Sequence, residues 1–155
     1  MSDTKPLKRH ASLQPLSREH HHGLLLGWKI RTGLSKGVAP ERIKAYSDWF
    51  FENHLSPHFE VEERYIFPIL GGNEHPMVKR ALREHRRLRR LFAATEDLGK
   101  HLSLMEEELT AHIRYEERVL FNEVQAVANL EQLGEIEHLH NGQPFVEDWV
   151  DKFWV

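Results

Sequence analysis

The stretch His58-Phe59-Glu60-Val61-Glu62-Glu63-Arg64 returns 54 residues later as His112-Ile113-Arg114-Tyr115-Glu116-Glu117-Arg118. Each copy sets an imidazole four residues before a carboxylate, follows with Glu-Arg, and reaches a Phe five residues beyond that carboxylate, at Phe67 and Phe121. On a helix, residues i and i+4 share one face, so each copy aims nitrogen and oxygen at the same neighbour. Two such helices facing each other make a metal site. A weaker echo joins Ser17-Arg18-Glu19-His20 to Leu82-Arg83-Glu84-His85, again with a His on the apolar stripe. Folding the two halves together gathers His20, His58, Glu62, His85, His112 and Glu116 at one level. Six such groups are costly to bury without a metal, because ionised carboxylates are hardly ever buried unpaired. Two isolated His–Glu hydrogen bonds are the plainer alternative, and they do not call for a repeat.

Iron, manganese and zinc accept imidazole and carboxylate together, whereas calcium and magnesium prefer all-oxygen sites. A carboxylate has two oxygens and can bridge, so two Glu and four His suit two metal ions better than one. His20 and His21 both remain open as ligands, since neighbours on a helix differ by ~100° and the stripe favours His20. His54, one turn before His58, is a further candidate, as a ligand, as a hydrogen-bond partner of one, or as lining; its counterpart in the repeat is Glu108.

Helices must carry these groups. Residues 1–15, with Pro6 and Pro15 and no periodicity, are expected to form a flexible arm. Ser17 is the expected N-cap of a helix to about Thr32. A second runs from Glu41, behind Pro40, to about Ile66, with Pro57 expected to kink it. A third is expected from Pro76 to about Asp97 with Gly99 as its stop, and a fourth from near Lys100 to about Val127. Four long amphipathic segments with short connections argue for an all-α, antiparallel up-and-down four-helix bundle over residues 16–128. Residues 129–155 are expected to add a short helix, broken at Asn141-Gly142, and a tail carrying Phe145, Trp149, Phe153 and Trp154. The tail is expected to pack on the bundle; the alternative is a self-association patch giving a homo-oligomer.

The chain of 155 residues is one domain's worth, with 12 His and no Cys, which excludes disulfides, thiolate zinc sites and a cysteine nucleophile. Its formal net charge of −3 gives no global attraction to nucleic acid or an anionic membrane. The basic run Lys79, Arg80, Arg83, Arg86, Arg87, Arg89 and Arg90 is expected to be a solvated helix face, with Glu106, Glu107 and Glu108 as partners and Arg89 near the site. Met1 to Leu13 lacks an apolar signal core, so a cytoplasmic location and no membrane are expected. His10, His75, His101, His138 and His140 are expected at the surface.

His20, His58-x-x-x-Glu62, His85 and His112-x-x-x-Glu116, with Phe67-Pro68 and Phe121-Asn122 closing the repeats, resemble the hemerythrin-like family, also called the HHE cation-binding domain. The resemblance covers about Leu16 to Phe121. Ferritin-like di-iron bundles are the near rival, but they use Glu-x-x-His, which builds no site here. The resemblance implies a non-haem di-iron centre in which Glu62 and Glu116 bridge the irons together with an oxo or hydroxo group. It implies binding of dioxygen, or sensing of oxygen, iron, nitric oxide or redox state. Oxygen carriers have two His four apart on the third helix, whereas Ala81 and Arg89 flank His85 at those spacings. The His count is one short unless His21 or His54 supplies it.

The leading expectation is a non-catalytic metal protein that binds or senses such a small ligand. The rival is an enzyme acting on peroxide or nitric oxide in oxidative or nitrosative stress defence; a third reading is a purely structural helical module. Iron-centre repair proteins of similar fold carry an additional cysteine-containing module, and this chain has no cysteine.

Overall fold

A computed structural model describes residues 8–139 and 145–155, so residues 1–7 of the expected arm, His140 and the Asn141-Gly142 break lie outside the described residues. The described residues are helical, with no strand among them. Helix α1 is Gln14–Ser35. The rod α2 spans residues 40–70 and α4 spans residues 98–127, each a run of helical segments without interruption. Between them stands α3, Pro76–Ala93, and after them α5, Leu130–Leu139.

Helix α1 begins earlier than the Ser17 cap expected from the sequence. Leu13 and Leu16 are fully buried, and Pro15 fits the first turn, where its missing N–H costs nothing. A 3₁₀ turn, Ala11–Leu13, leads in, with His10 Nδ1 accepting the Ser12 N–H. Ser17 is then inside the helix, and its hydroxyl donates to Glu117 at 2.8 Å. Before it, Arg9 is held by Gln125 at 2.8 Å and by the Glu117 carbonyl at 2.7 Å.

The expected ends of the third helix also shift. Helix α3 stops at Ala93 because Ala94 turns extended, and Lys44 donates to the otherwise unmatched Phe92 carbonyl at 2.9 Å. Asp97, at φ 47°, opens α4, so Gly99 lies within its first turn and stops nothing. His101 Nδ1 donates to the Glu96 carbonyl at 2.7 Å there.

Three wide π turns interrupt α2 and α4. In Phe51–Leu55 the closing bond comes from the N–H of Ser56 to the carbonyl of Phe51, one residue before Pro57. Proline has no N–H to give and crowds the carbonyl four residues back, and a wider turn answers both. The other two, Glu62–Ile66 and Glu116–Leu120, begin on the two repeated glutamates, closed by Phe67 N–H to Glu62 and by Phe121 N–H to Glu116. An i to i+5 turn puts its ends on one face, so both glutamates and both phenylalanines are buried together. That accounts for the spacing of five seen in the sequence.

Along α1, Ser17, His20, Gly23, Gly27 and Arg31 meet Glu117, Glu116, Ile113, Thr110 and Glu106 of α4 in that order, so these two helices run in opposite senses. Gly23 and Gly27 allow the approach: a Cβ on Gly23 would stand 2.7 Å from Ile113 Cδ1. Two apolar clusters sit at the ends, one around Leu26, Phe50, Phe59, Leu88 and Leu109, the other around Leu16, Phe67, Ala81, Phe121 and Val124. Every one of α1 to α4 passes from one cluster to the other through its His or Glu, so the polar layer lies between two water-excluding cores.

The C-terminal tail lies on α1 and α2. Phe153 is buried against Tyr46 and Gly33, and Trp149 and Trp154 ring Tyr46. Tyr46 Oη donates to Glu147 at 2.6 Å, and Lys29 donates to the same carboxylate while lying 4.0 Å over Trp154.

Candidate metal centre

All six of the residues His20, His58, Glu62, His85, His112 and Glu116 are buried and stand together. Their ligand atoms form two groups, His20, His58, Glu62 and Glu116 on one side, Glu62, His85, His112 and Glu116 on the other, each within 4.8 Å. The two glutamates belong to both groups. His58 Nε2 lies 3.1 Å from Glu62 Oε2, His85 Nε2 3.1 Å from Glu62 Oε1, and His112 Nε2 3.3 Å from Glu116 Oε2. Close as they are, these atoms are not aligned as hydrogen bonds: His58, His85 and His112 Nε2, both Glu62 oxygens and Glu116 Oε2 have no hydrogen-bond partner. His20 Nε2 alone is paired, with Glu116 Oε1 at 2.9 Å. Buried polar atoms are almost always satisfied, so six converging orphans fit a cation held at their centre.

The outer nitrogens explain why only Nε2 points inward. His58 Nδ1 meets Glu19 at 2.7 Å, His112 Nδ1 meets Glu84 at 2.7 Å, His85 Nδ1 meets Glu63 at 2.6 Å and His20 Nδ1 meets Glu117 at 2.6 Å. An ionised carboxylate only accepts, so each Nδ1 carries the proton and each Nε2 presents a lone pair inward when the ring is neutral. Sequence reasoning missed these four acids as partners. Their signal was present: Glu19-His20 and Glu84-His85 repeat, as do Glu62-Glu63 and Glu116-Glu117.

The electrostatics follow from this crowding. Burial disfavours the imidazolium of His58, but Glu62 and Glu19 outweigh it and raise the pKa to about 9. Burial opposes charging of His20, His85 and His112 too, and the surrounding carboxylates again carry all three upward. For Glu62, burial and the facing Glu116 push up, while His58 and His20 pull harder and bring it to about 2. Glu116 is likewise driven down, burial being overcome first by His112. Both central carboxylates are therefore ionised at neutral pH. Removing a carboxylate from water costs several kcal/mol even after relaxation, a cost that opposite charge must offset.

The other candidate residues stand elsewhere in the structure. His21 is exposed and edges onto His22, outside both groups. His54 is also outside them, among Trp49, Phe50 and Phe145. Arg89 does not enter the polar layer; it donates to Glu63 at 2.9 Å and so holds the carboxylate that orients His85. Arg87 pairs with Glu108 through two bonds of 3.0 and 3.1 Å. His10, His75 and His101 serve as backbone caps, and His138 is exposed. Beside His20 and His58, a cavity of about 770 Å³ opens between α1 and α2.

The family model described as hemerythrin HHE cation binding domain matches residues 11–101, more than half of the chain. His20, His58, Glu62 and His85 fall inside that span; His112 and Glu116 follow it and are joined to the others in space. Neither a curated protein nor a solved structure matches. No helix among the described residues is long and apolar enough to cross a membrane.

Proposed function

The chain belongs to the hemerythrin HHE cation-binding domain family, and from that premise we propose that it holds two non-haem iron ions and binds or senses dioxygen or a related small ligand. The observation that carries this reading is the convergence of six unpartnered buried atoms from His58, His85, His112, Glu62 and Glu116. His20 and His58 would serve one ion and His85 and His112 the other, with Glu62 and Glu116 shared between them. Iron held there would supply reversible electron exchange with a small ligand, and manganese or zinc would satisfy the same donors. The fold reading that goes with it is an antiparallel up-and-down bundle of α1 to α4 over residues 16–128, in the cytoplasm.

The protein's own residues have distinct tasks. Glu19, Glu63, Glu84 and Glu117 keep each Nδ1 protonated and each ring aimed. Phe59, stacked on His85 at 3.9 Å, and Phe121, stacked on His20 at 5.1 Å, keep water from the carboxylates. Each imidazole must release its Nε2 proton to act as a ligand, so metal uptake releases protons.

The test is elemental analysis of anaerobically prepared protein, followed by its optical spectrum before and after air. About two irons per chain and a spectral change that reverses when oxygen is removed is the expected result. No bound metal in protein supplied with iron would sink the reading. A second reading, turnover of peroxide or nitric oxide, draws on the 770 Å³ cavity, which is larger than a diatomic ligand needs. Consumption of either compound would decide for it, since a carrier or sensor returns its ligand unchanged.

A further inference from the structure

The repeat extends beyond the polar layer. Residues of α1 correspond to α3 at an offset of 65, as His20 to His85, and residues of α2 to α4 at 54, as His58 to His112. The contacts obey it: Glu19 on His58 matches Glu84 on His112, and Glu117 on His20 matches Glu63 on His85. The two imidazole pairs agree as well, with ring centroids 4.7 and 4.8 Å apart. Each residue beside the cavity therefore has a counterpart that shows what would close it.

Three counterpart pairs close the second half. Arg80 lies 3.8 Å over the Tyr115 ring, Arg87 grips Glu108 through two bonds, and Leu88 is buried with Phe59 in one core. In the first half the same places hold Pro15 and Val61, His22 and His54, and Gly23 and Ile113, all of them lining the cavity. The cation–ring stack has become two apolar residues, the ion pair two imidazoles, and both apolar partners are smaller. The tail then contributes Phe145, stacked on His22 at 4.0 Å and set 4.5 Å from His54. Among the lining residues that belong to neither metal-site group, His54 carries a buried, unpartnered polar atom, Nε2.

We propose that this cavity is a binding pocket for a phenol-type ligand, an aromatic ring bearing one hydroxyl, with His54 Nε2 as the partner of that hydroxyl. The volume of about 770 Å³ lies within the ~300–1,000 Å³ range of small-molecule pockets. Phe50 and Phe145 give flat apolar walls, which suit a ring. A hydroxyl both donates and accepts, so it satisfies His54 in either tautomer. Burial lowers the His54 pKa more than the Val146 backbone raises it, which keeps the ring neutral and suits an uncharged ligand. His20 and His58 stand at one edge of the cavity, while His54 and the apolar walls that would hold the ring lie outside both groups of metal-site atoms.

The experiment titrates the protein as isolated with phenol and with toluene by calorimetry, alongside its metal content. Phenol is expected to bind about tenfold more tightly than toluene, the worth of one buried hydrogen bond. The variant His54→Leu should lose that preference and keep toluene binding. Val61→Tyr, which installs the residue found at the counterpart position, should abolish binding of both while metal content and helicity stay unchanged. Absence of phenol binding, equal affinity for the two probes, or undiminished binding in folded Val61→Tyr would overturn the proposal. Metal content is read on the same samples, so loss of the metal reading and loss of the pocket are separate results.

Discussion

Around His85 and His112 the neighbours are large and paired: Phe59 stacks on His85, Arg89 holds Glu63, and Arg87 holds Glu108. Around His20 and His58 the same framework is flanked by Gly23, Val61 and a cavity, and its supports come from far along the chain, with Arg9 reaching Glu117 and Phe145 reaching His54. The polar layer itself is nearly symmetric; the asymmetry begins one residue layer outward. Metal-holding chemistry needs the same donors on both sides, whereas access for a ligand needs only one side opened.

The sharpest break of the symmetry is between shared and unshared ligands. Glu62→Ala or Glu116→Ala removes an oxygen donor from both groups and is expected to abolish stoichiometric metal, while His58→Ala or His112→Ala should cost about one of two ions. Elemental analysis reads this directly, and full metal content in Glu62→Ala would refute the shared role. Next in size is packing. Phe59→Ala, at a buried ring on the closed side, is expected to destabilise by about 3–5 kcal/mol in chemical denaturation. Val61→Ala, on the cavity side, should cost far less; equal losses would mean the two halves are packed alike.

Orientation of the imidazoles comes third. Glu63→Gln and Glu117→Gln should each weaken metal binding by about 10–100-fold in chelator competition, because both act on an Nδ1 proton. Arg9→Ala should reproduce part of the Glu117 effect and none of the Glu63 effect, a split that one shared support would not give.

The pH dependence of the metal-free protein is common to both halves and smaller. The folded-state pKa of His58, about 9, lies above its unfolded value of roughly 6.5, so the stability it contributes is fully present below pH ~6.5 and is lost as pH rises through about 9. Burial opposes this charge and Glu62 with Glu19 sustains it. Denaturation midpoints of chelator-treated protein at pH 6 and pH 9.5 should fall in that order, and a higher midpoint at pH 9.5 would contradict the sign. Metal uptake should release protons at pH 7 and fewer once pH has risen through about 9, where His58 is already neutral, as measured in buffers of different ionisation enthalpy. The smallest effect is expected from Arg87→Ala, an exposed ion pair that water and salt screen, with stability almost unchanged and metal content the same.

The six central residues were legible because their geometry is local. A spacing of four fixes a shared helix face, and a repeat fixes that two helices do the same thing, so His58, Glu62, His112 and Glu116 follow from 3.6 residues per turn. His20 and His85 were legible more weakly, as single residues on a stripe, and the sequence did not show that His20 is buried while His21 is exposed. Helix limits were misplaced where a tertiary contact overrode local propensity. Leu13 and Leu16 burial drew α1 past Ser17, and Lys44 reaching the Phe92 carbonyl ended α3 before Gly99.

By itself the sequence determined the helical class, the polar layer's donors and the family resemblance, since all three rest on periodicity within one helix or on its recurrence. Only the tertiary structure decided that Glu19 serves His58 and not its neighbour His20, and that Glu63 serves His85. It also decided that Glu62 and Glu116 open π turns, and that Phe145 walls a cavity about 90 residues from His54 along the chain. Such pairings depend on the relative rotation and axial offset of two packed helices. A shift of one residue turns a side chain by ~100°, and no local pattern records that angle.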